Sequence, residues 1–268
     1  MKNEYIIAAV NFIESNLKEN ITLHEVAGYI GFSENYFHSY FKKQTNLEIK
    51  NYIRKRKISN ALKDLVLSEK RIIDVCYDYS FNSPEVFTRA VKRYHSITAS
   101  EIQKKKNFVF FEKYSDKSKI KNKTFMTFIN PGYVVFSQGF GYNPEDTAWK
   151  NIFDGCIKNN PGKDLRIFGY NSPSPLLSGE PYGYEFIILS EQKLKYSGKT
   201  KIKHFPGGFY TCVSTDFQSL VDGWSYFNSW NIYNSFKYGD ITWLEEHFPE
   251  KNTTKNFLKI YYPLKKYN

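Results

Sequence analysis

Two stretches of this chain repeat one pattern 50 residues apart, and no other feature limits its folding choices as tightly. The first is ITLHEVAGYIGFSENYFHSYFKK, Ile21 to Lys43, and the second is RIIDVCYDYSFNSPEVFTRAVKR, Arg71 to Arg93. Each has an apolar helical stretch holding a small residue, Ala27 or Cys76, and then a tight turn ending in Ser33 or Ser83. A second helix with aromatic anchors and a basic end follows. Superposing Ser33 on Ser83 also superposes Phe37 on Phe87 and Lys42 on Lys92, while the small residues fall one place out of register. The second turn is therefore one residue longer. Both serines stand where an N-cap is wanted, and Pro84 at the first helical position lacks an N–H that would have no partner there. This is the pattern of a helix-turn-helix, whose second helix presents its first turns to base edges in a major groove. Two in tandem predict double-stranded DNA as a partner.

Apolar residues recur at helical spacing through the first hundred positions: Ile6, Val10, Ile13 and Leu17, then Leu23, Val26, Ala27 and Ile30. The spacing predicts seven helices: one over 3–18, two in each motif, a long one over 47–67 joining the motifs, and a closing one from Thr98 to Lys105. Composition changes near residue 105, beyond which strands rich in Gly, Pro and aromatics follow. The Lys- and Ser-rich stretch 103–123, broken by FVFF at 108–111, reads as a linker holding a short strand. The predicted organisation is multidomain: an all-α double helix-turn-helix domain over 1–106, a linker over 107–122, and an α+β domain over 123–268.

That α+β domain carries an internal repeat. Pro131-Gly132 and Pro206-Gly207 each lead into a strand, and Trp149 and Trp224 each lie in a helix, both pairs offset by 75 residues. The strands RIFGY at 166–170 and DITWLE at 240–245, and YEFIILS at 184–190 and LKIYYPL at 258–264, are offset by 74. The expectation is two strand-helix-strand-strand units sharing one core, with a cleft between the copies.

The net charge of +11 fits a polyanionic partner, but it does not locate one. The first 106 residues carry 18 basic and 12 acidic side chains and the remainder 20 and 15, so the excess is spread over both halves. Cys76, Cys156 and Cys212 are far apart, which gives no zinc spacing and no disulfide framework and suits a reducing cytosol. No apolar run approaches the length of a spanning helix, so a cytoplasmic location without a membrane partner is expected. His24, His38, His95, His204 and His247 are scattered, and no phosphate-binding loop, dinucleotide fingerprint or nucleophile elbow appears. No catalytic residue, metal or cofactor is expected.

Helical geometry sorts the motif residues by face. In the first motif Tyr36, Phe37, Tyr40 and Phe41 form the apolar face, leaving Asn35, His38 and Ser39 for base edges. In the second Val86, Phe87 and Val91 point inward, and Glu85, Thr88 and Arg89 point out. Arg89 is the candidate for guanine O6 and N7. Lys42, Lys43, Lys92 and Arg93 are candidates for phosphates. The run Arg54–Lys57 reads either as a face toward the DNA backbone or as a solvated helix face, and the second is expected because that helix must mainly join the two motifs.

Residues 4–105 resemble the AraC/XylS-type DNA-binding domain. The likeness rests on Leu23, Ala27, Gly31, Ser33, Tyr36, Phe37, Phe41 and Lys42, on Asn51-Tyr52-Ile53, Arg56 and Ala61, and on Ile72, Val75, Phe81, Ser83, Phe87, Arg89 and Lys92. That family normally has Gly at Ser80, Phe at Val91, Gly at Ser96 and Pro at Ala99. The resemblance implies two recognition helices in successive major grooves, so that one chain reads both half-sites. Residues 122–268 resemble the GyrI-like small-molecule-binding domain through GEPYGYEFIIL at 179–189, GGFYTCV at 207–213, WSYFNSW at 224–230, ITWLEEHF at 241–248 and KIYYPL at 259–264. This implies a multidrug-type effector site for a hydrophobic or cationic compound, with Glu245 as acidic anchor, Glu246 its alternate and Glu185 a second candidate. Tyr133, Trp149, Tyr170, Trp224, Trp230 and Trp243 are its possible walls. Together the two resemblances imply a transcription regulator whose effector biases DNA binding or RNA polymerase recruitment. The alternatives for the C-terminal half are a small-molecule hydrolase and a protein-interaction module.

Overall fold

The computed structural model describes residues 4–115, 123–175, 177, 179–216, 219–248 and 257–266. The chain divides into two compact units: 1–127 with 229–236 and 266–268, and 128–228 with 237–265.

The first unit holds α1 (Glu4–Ser15), α2 (Leu23–Tyr29), α3 (Glu34–Thr45), α4 (Ile49–Leu67), α5 (Ile72–Asp78), α6 (Pro84–His95) and α7 (Ala99–Lys105). Helix α1 ends before the expected residue 18 because Asn16 turns its side chain back onto the Phe12 carbonyl at 2.8 Å. Ser33 and Ser83 cap α3 and α6 by accepting from the backbone N–H of Tyr36 and Val86. Thr22 with Glu25, and Thr98 with Glu101, form capping boxes on α2 and α7. Ala27, Cys76, Phe37, Phe41, Phe87 and Val91 are all buried. Two residues expected inside are instead exposed: Tyr36, which stacks on Tyr40 with ring centroids 5.9 Å apart, and Val86. Each sits on the flank of its helix, where Phe37 and Phe87 already fill the inward position.

Ser80 and Ser96, which stand where the resembling family has glycine, adopt φ of +53° and +61°. The substitutions therefore leave the left-handed turn in place and load it with a side chain that disfavours it. Ser96 is exposed and caps the C-terminus of α6 with its backbone N–H on Lys92 O. Ser96→Gly is expected to raise stability by about 0.5–1 kcal/mol, read as a higher midpoint in thermal unfolding. A lower midpoint would contradict this account of the turn.

Helix α4 packs against α3, α5, α6 and α7, and most of its side chains are buried. Only part of the run Arg54–Lys57 is the solvated face expected: Arg54 is exposed, but Arg56 is 1% exposed and Lys57 8%. The Arg56 guanidinium grips Glu14 through Nε and Nη2, each at 2.7 Å, donates to the Phe111 carbonyl, and lies over the Phe110 ring. Lys57 donates to the carbonyls of Glu19 and Tyr79, and its burial holds its pKa below the usual lysine value. The FVFF segment expected in the linker forms β1 (Phe108–Phe110), antiparallel to the start of β2 (Thr124–Ile129). Residues 116–122 of that linker lie outside the described residues.

The second unit holds the end of β2, then β3 (Gly132–Gly141), α8 (Pro144–Gly155), β4 (Arg166–Asn171), β5 (Tyr182–Leu189), β6 (Lys201–Phe205), β7 (Gly208–Asp216), the first turns of α9 (Leu220–Tyr233), β8 (Leu244–His247) and β9 (Phe257–Leu264). Its sheet runs β2-β7-β9-β8-β4-β5-β3-β6. Alternation along the strands divides the core. One face carries Val135, Ile167, Tyr184, Phe186 and Ile188 beneath Ala148 and Ile152 of α8. The other carries Phe168, Tyr170, Ile187, Tyr210, Leu244 and Tyr261. The strand expected over 240–245 begins only at Leu244, so Trp243 precedes it, and Tyr210 OH holds the Thr242 carbonyl at 3.2 Å. Strand β6, KIKHF, was not foreseen, because a short run of alternating lysines carries little apolar signal.

Candidate functional site

Glu245 lies in β8, paired with Gly169 of β4 on one side and Ile260 of β9 on the other. Tyr184, on the next strand beyond β4, crosses over Gly169 to reach it. A Cβ on Gly169 would fall 2.3 Å from the Tyr184 hydroxyl oxygen, so only a bare backbone permits the crossing. Tyr184 OH donates to Glu245 Oε2 at 2.9 Å, and Trp224 Nε1 on α9 donates to Oε1 at 2.9 Å. The Trp224 and Trp243 rings meet edge-on at 5.0 Å. Phe186 packs on Tyr184 and Trp149 on Phe186, each pair at 5.2 Å, which extends the aromatic wall. Glu245 is 7% exposed. Burial raises its carboxyl above the ordinary range, the Trp224 and Tyr184 hydrogen bonds oppose this, and the charge of Glu145 adds to it. Tyr182, two residues before Tyr184 on the same face, donates to Glu145, and its hydroxyl is pushed up to about 12 by burial and by that carboxylate.

The structure thus gathers Glu245, Trp224 and Trp243, with Trp149 one ring further on. It adds Tyr184, Tyr182 and Glu145, which the sequence reading passed over. The period-two spacing of YGYEF was the available signal, since it puts both tyrosines on one face and Glu185 on the other.

The remaining candidates lie elsewhere. Glu185 accepts from Tyr170 OH at 2.9 Å and Ser172 Oγ at 3.1 Å and is ion-paired with Lys203. Lys203 also donates to Tyr170 OH at 2.6 Å, so Glu185 and Tyr170 form a self-neutralised cluster on the opposite face of the sheet. Glu246 also faces away from Glu245, bonded to Arg166 Nε at 2.7 Å and Tyr261 OH at 2.5 Å. Tyr133 is 79% exposed and meets only the edge of His204 among the described rings. Trp230 belongs to the first unit. It is buried against Phe110 and stacked on Phe236, with Nε1 on Glu112. Its distance along the chain from that unit hid this.

On the first unit α3 presents Asn35, Ser39, Lys42 and Lys43 fully and His38 partly, while α6 presents Glu85, Arg89, Lys92 and Arg93 fully and Thr88 partly. Lys42 is engaged with Glu48 at 3.1 Å. Glu85 is held below the usual carboxylate value by the Ser83 hydroxyl and by its own backbone N–H, so it belongs to the cap of α6. Among the described residues no three His, Cys, Asp or Glu side chains are grouped to hold a metal ion, and no helix is long and apolar enough to cross a membrane.

Residues 26–105 match the family described as "Helix-turn-helix domain". The uncharacterized HTH-type transcriptional regulator YbfP of Bacillus subtilis is 39% identical over 87 residues, 32% of this chain and 30% of that protein. The Transposon Tn10 TetD protein of Escherichia coli is 35% identical over 95 residues, 35% of this chain and 69% of that protein. A transcriptional regulator with an AraC-type DNA-binding domain from Chromobacterium violaceum has a crystal structure that is 22% identical, covering 38% of this chain and 90% of that one, at a TM-score of 0.36. The chain belongs to the AraC family of helix-turn-helix proteins. It spans about 30% of the length of YbfP.

Proposed function

We propose that this protein regulates transcription by reading duplex DNA through α3 and α6, and that its second unit, a duplicated GyrI-like domain, senses a hydrophobic cation. Asn35, His38 and Ser39 on one helix and Thr88 and Arg89 on the other face base edges, and Lys43, Lys92 and Arg93 face phosphates. The order β3, α8, β4, β5 followed by β7, α9, β8, β9 supports the duplication. The observation that carries the sensor reading is Glu245, a buried carboxylate held by Tyr184 and Trp224 beside Trp243. Such a site attracts an apolar cation by charge and by ring quadrupoles, whereas an anion is repelled by the carboxylate and a neutral molecule gains no charge attraction from it.

The raised carboxyl fixes the sign of the pH effect. Its folded value lies above its unfolded one, so its stabilising contribution is complete below the ordinary carboxylate range and is lost as pH rises through the folded value. A bound cation favours the ionised form, so binding strengthens over the same rise. With benzyltrimethylammonium as probe at roughly 100 times its Kd, the full chain is expected to gain about 2.7 kcal/mol at neutral pH, seen as a thermal shift. Glu245→Gln keeps an acceptor for Trp224 and a partner for Tyr184. It is expected to fold at least as stably as the parent while losing the shift. Equal shifts in the two proteins would sink the assignment of Glu245.

A further inference from the structure

Between the two motifs the first unit is grooved. Lys50, Arg54 and Lys57 of α4 line one wall, and Arg89 and Arg93 of α6 line the other. Among the described residues Glu34 at the start of α3 is the sole acidic residue lining the groove, and it is paired with His24 at 2.9 Å. Lys57 is turned into protein carbonyls, but Lys50, Arg54, Arg89 and Arg93 are exposed and none of them forms an ion pair with a described residue. Lys50 and Arg54 stand four residues apart on one helix, a like-charge spacing that works against the helix by a few tenths of a kcal/mol. The same helix buries Arg56 against Glu14 and the Phe111 carbonyl, so two uncompensated cations on its open side are not a by-product of packing.

The geometry points to α4 as a third DNA-contacting element, with Lys50 and Arg54 joining Arg93 to hold the backbone phosphates that lie between the two major-groove segments. The proposal rests on the reading of α3 and α6 as recognition helices. Helices that enter successive major grooves on one side of a duplex leave a minor groove between them, and its phosphate strands face whatever protein joins the helices. Here that protein is the first half of α4. Cations there neutralise phosphate without reading sequence, so they set affinity, register and salt dependence. The occupant is a phosphodiester backbone, since the wall offers charge on long flexible stems and no concave aromatic surface to select a small anion.

The test uses the full chain and fluorescence anisotropy on a mixed-sequence duplex long enough for both motifs, across a range of salt. Each phosphate contact removed should flatten the plot of log K against log salt by about 0.9. Arg54→Ala is expected to flatten it by about one such step, and Lys50→Ala with Arg54→Ala by about two. Lys150→Ala, on the second unit, should leave it unchanged. Circular dichroism matching the parent's excludes misfolding, which these exposed positions give no reason to expect. On a duplex enriched from a random pool by the parent, the doubly substituted chain should keep the parent's preference over base-substituted duplexes. An unchanged slope in the double variant, with the parent bound, overturns the clamp while leaving α3 and α6 as readers. A changed preference among duplexes also overturns it, because Arg54 would then be reading bases. A parent that binds no duplex overturns the reading beneath it.

Discussion

Arg56→Ala is expected to cost the first unit about 3–5 kcal/mol, the range for removing one partner of a buried ion pair. The guanidinium meets Glu14 with two parallel hydrogen bonds of 2.7 Å and also occupies the Phe111 carbonyl. Its removal leaves a Glu14 carboxylate only 16% exposed, with Tyr52 OH at 3.2 Å as its remaining hydrogen-bond donor among the described residues. The cost therefore comes mainly from the abandoned charge, and two further variants separate the causes. Arg56→Lys keeps the charge but loses the planar fork, and should fall between parent and alanine. Arg56→Met with Glu14→Leu removes both charges and should recover much of the loss. Urea unfolding followed by far-ultraviolet circular dichroism measures all three. A loss below about 1 kcal/mol for the alanine would mean that the pair behaves as a solvated surface contact.

The same residue shows where sequence reading stops. Arg56 was visible as a family match, and its helix was visible from apolar spacing, yet the RKRK run looked solvated. Nothing local says otherwise: its partners lie 42 and 55 residues away, and only folding brings them to it. The helix-turn-helix pairs were legible because their signals are local, a cap serine, a small residue and aromatic anchors within a few turns. Glu245 came from resemblance, and the residue that makes its site, Tyr184, needed the sheet register to appear. Glu185 was separated from Glu245 by the simplest rule of strands, since its neighbour Tyr184 takes the face that Glu245 shares. Trp230 could not be assigned from sequence, because α9 belongs to one unit at its start and to the other at its end. Only the partners of each tryptophan distinguish them, Glu245 for Trp224 and Glu112 for Trp230.

Gly169→Ala should damage the Glu245 site more than any substitution of a wall aromatic. Gly169 has no positive φ, so alanine meets no backbone strain there and the whole effect is steric. The new methyl would lie 2.3 Å from the Tyr184 hydroxyl oxygen and 2.7 and 2.8 Å from two carbons of its ring, so the ring itself must move. Overpacking of that kind costs about 1–3 kcal/mol, and a lost hydrogen bond at a buried carboxylate adds about 1–3 kcal/mol. Tyr184→Phe removes only the hydroxyl and should cost the second share alone. It should not rescue Gly169→Ala, because the ring carbons still collide. Tyr184→Leu should rescue in part, since a shorter side chain clears the methyl, so its combination with Gly169→Ala should destabilise less than the sum of the two single changes. Thermal unfolding of the parent and these five variants reads both combinations, and benzyltrimethylammonium should no longer shift any of the variants by the parent's amount. Strict additivity of Gly169→Ala with Tyr184→Leu would show that the glycine does not serve the crossing of Tyr184 to Glu245, and the carboxylate's setting would then need another explanation.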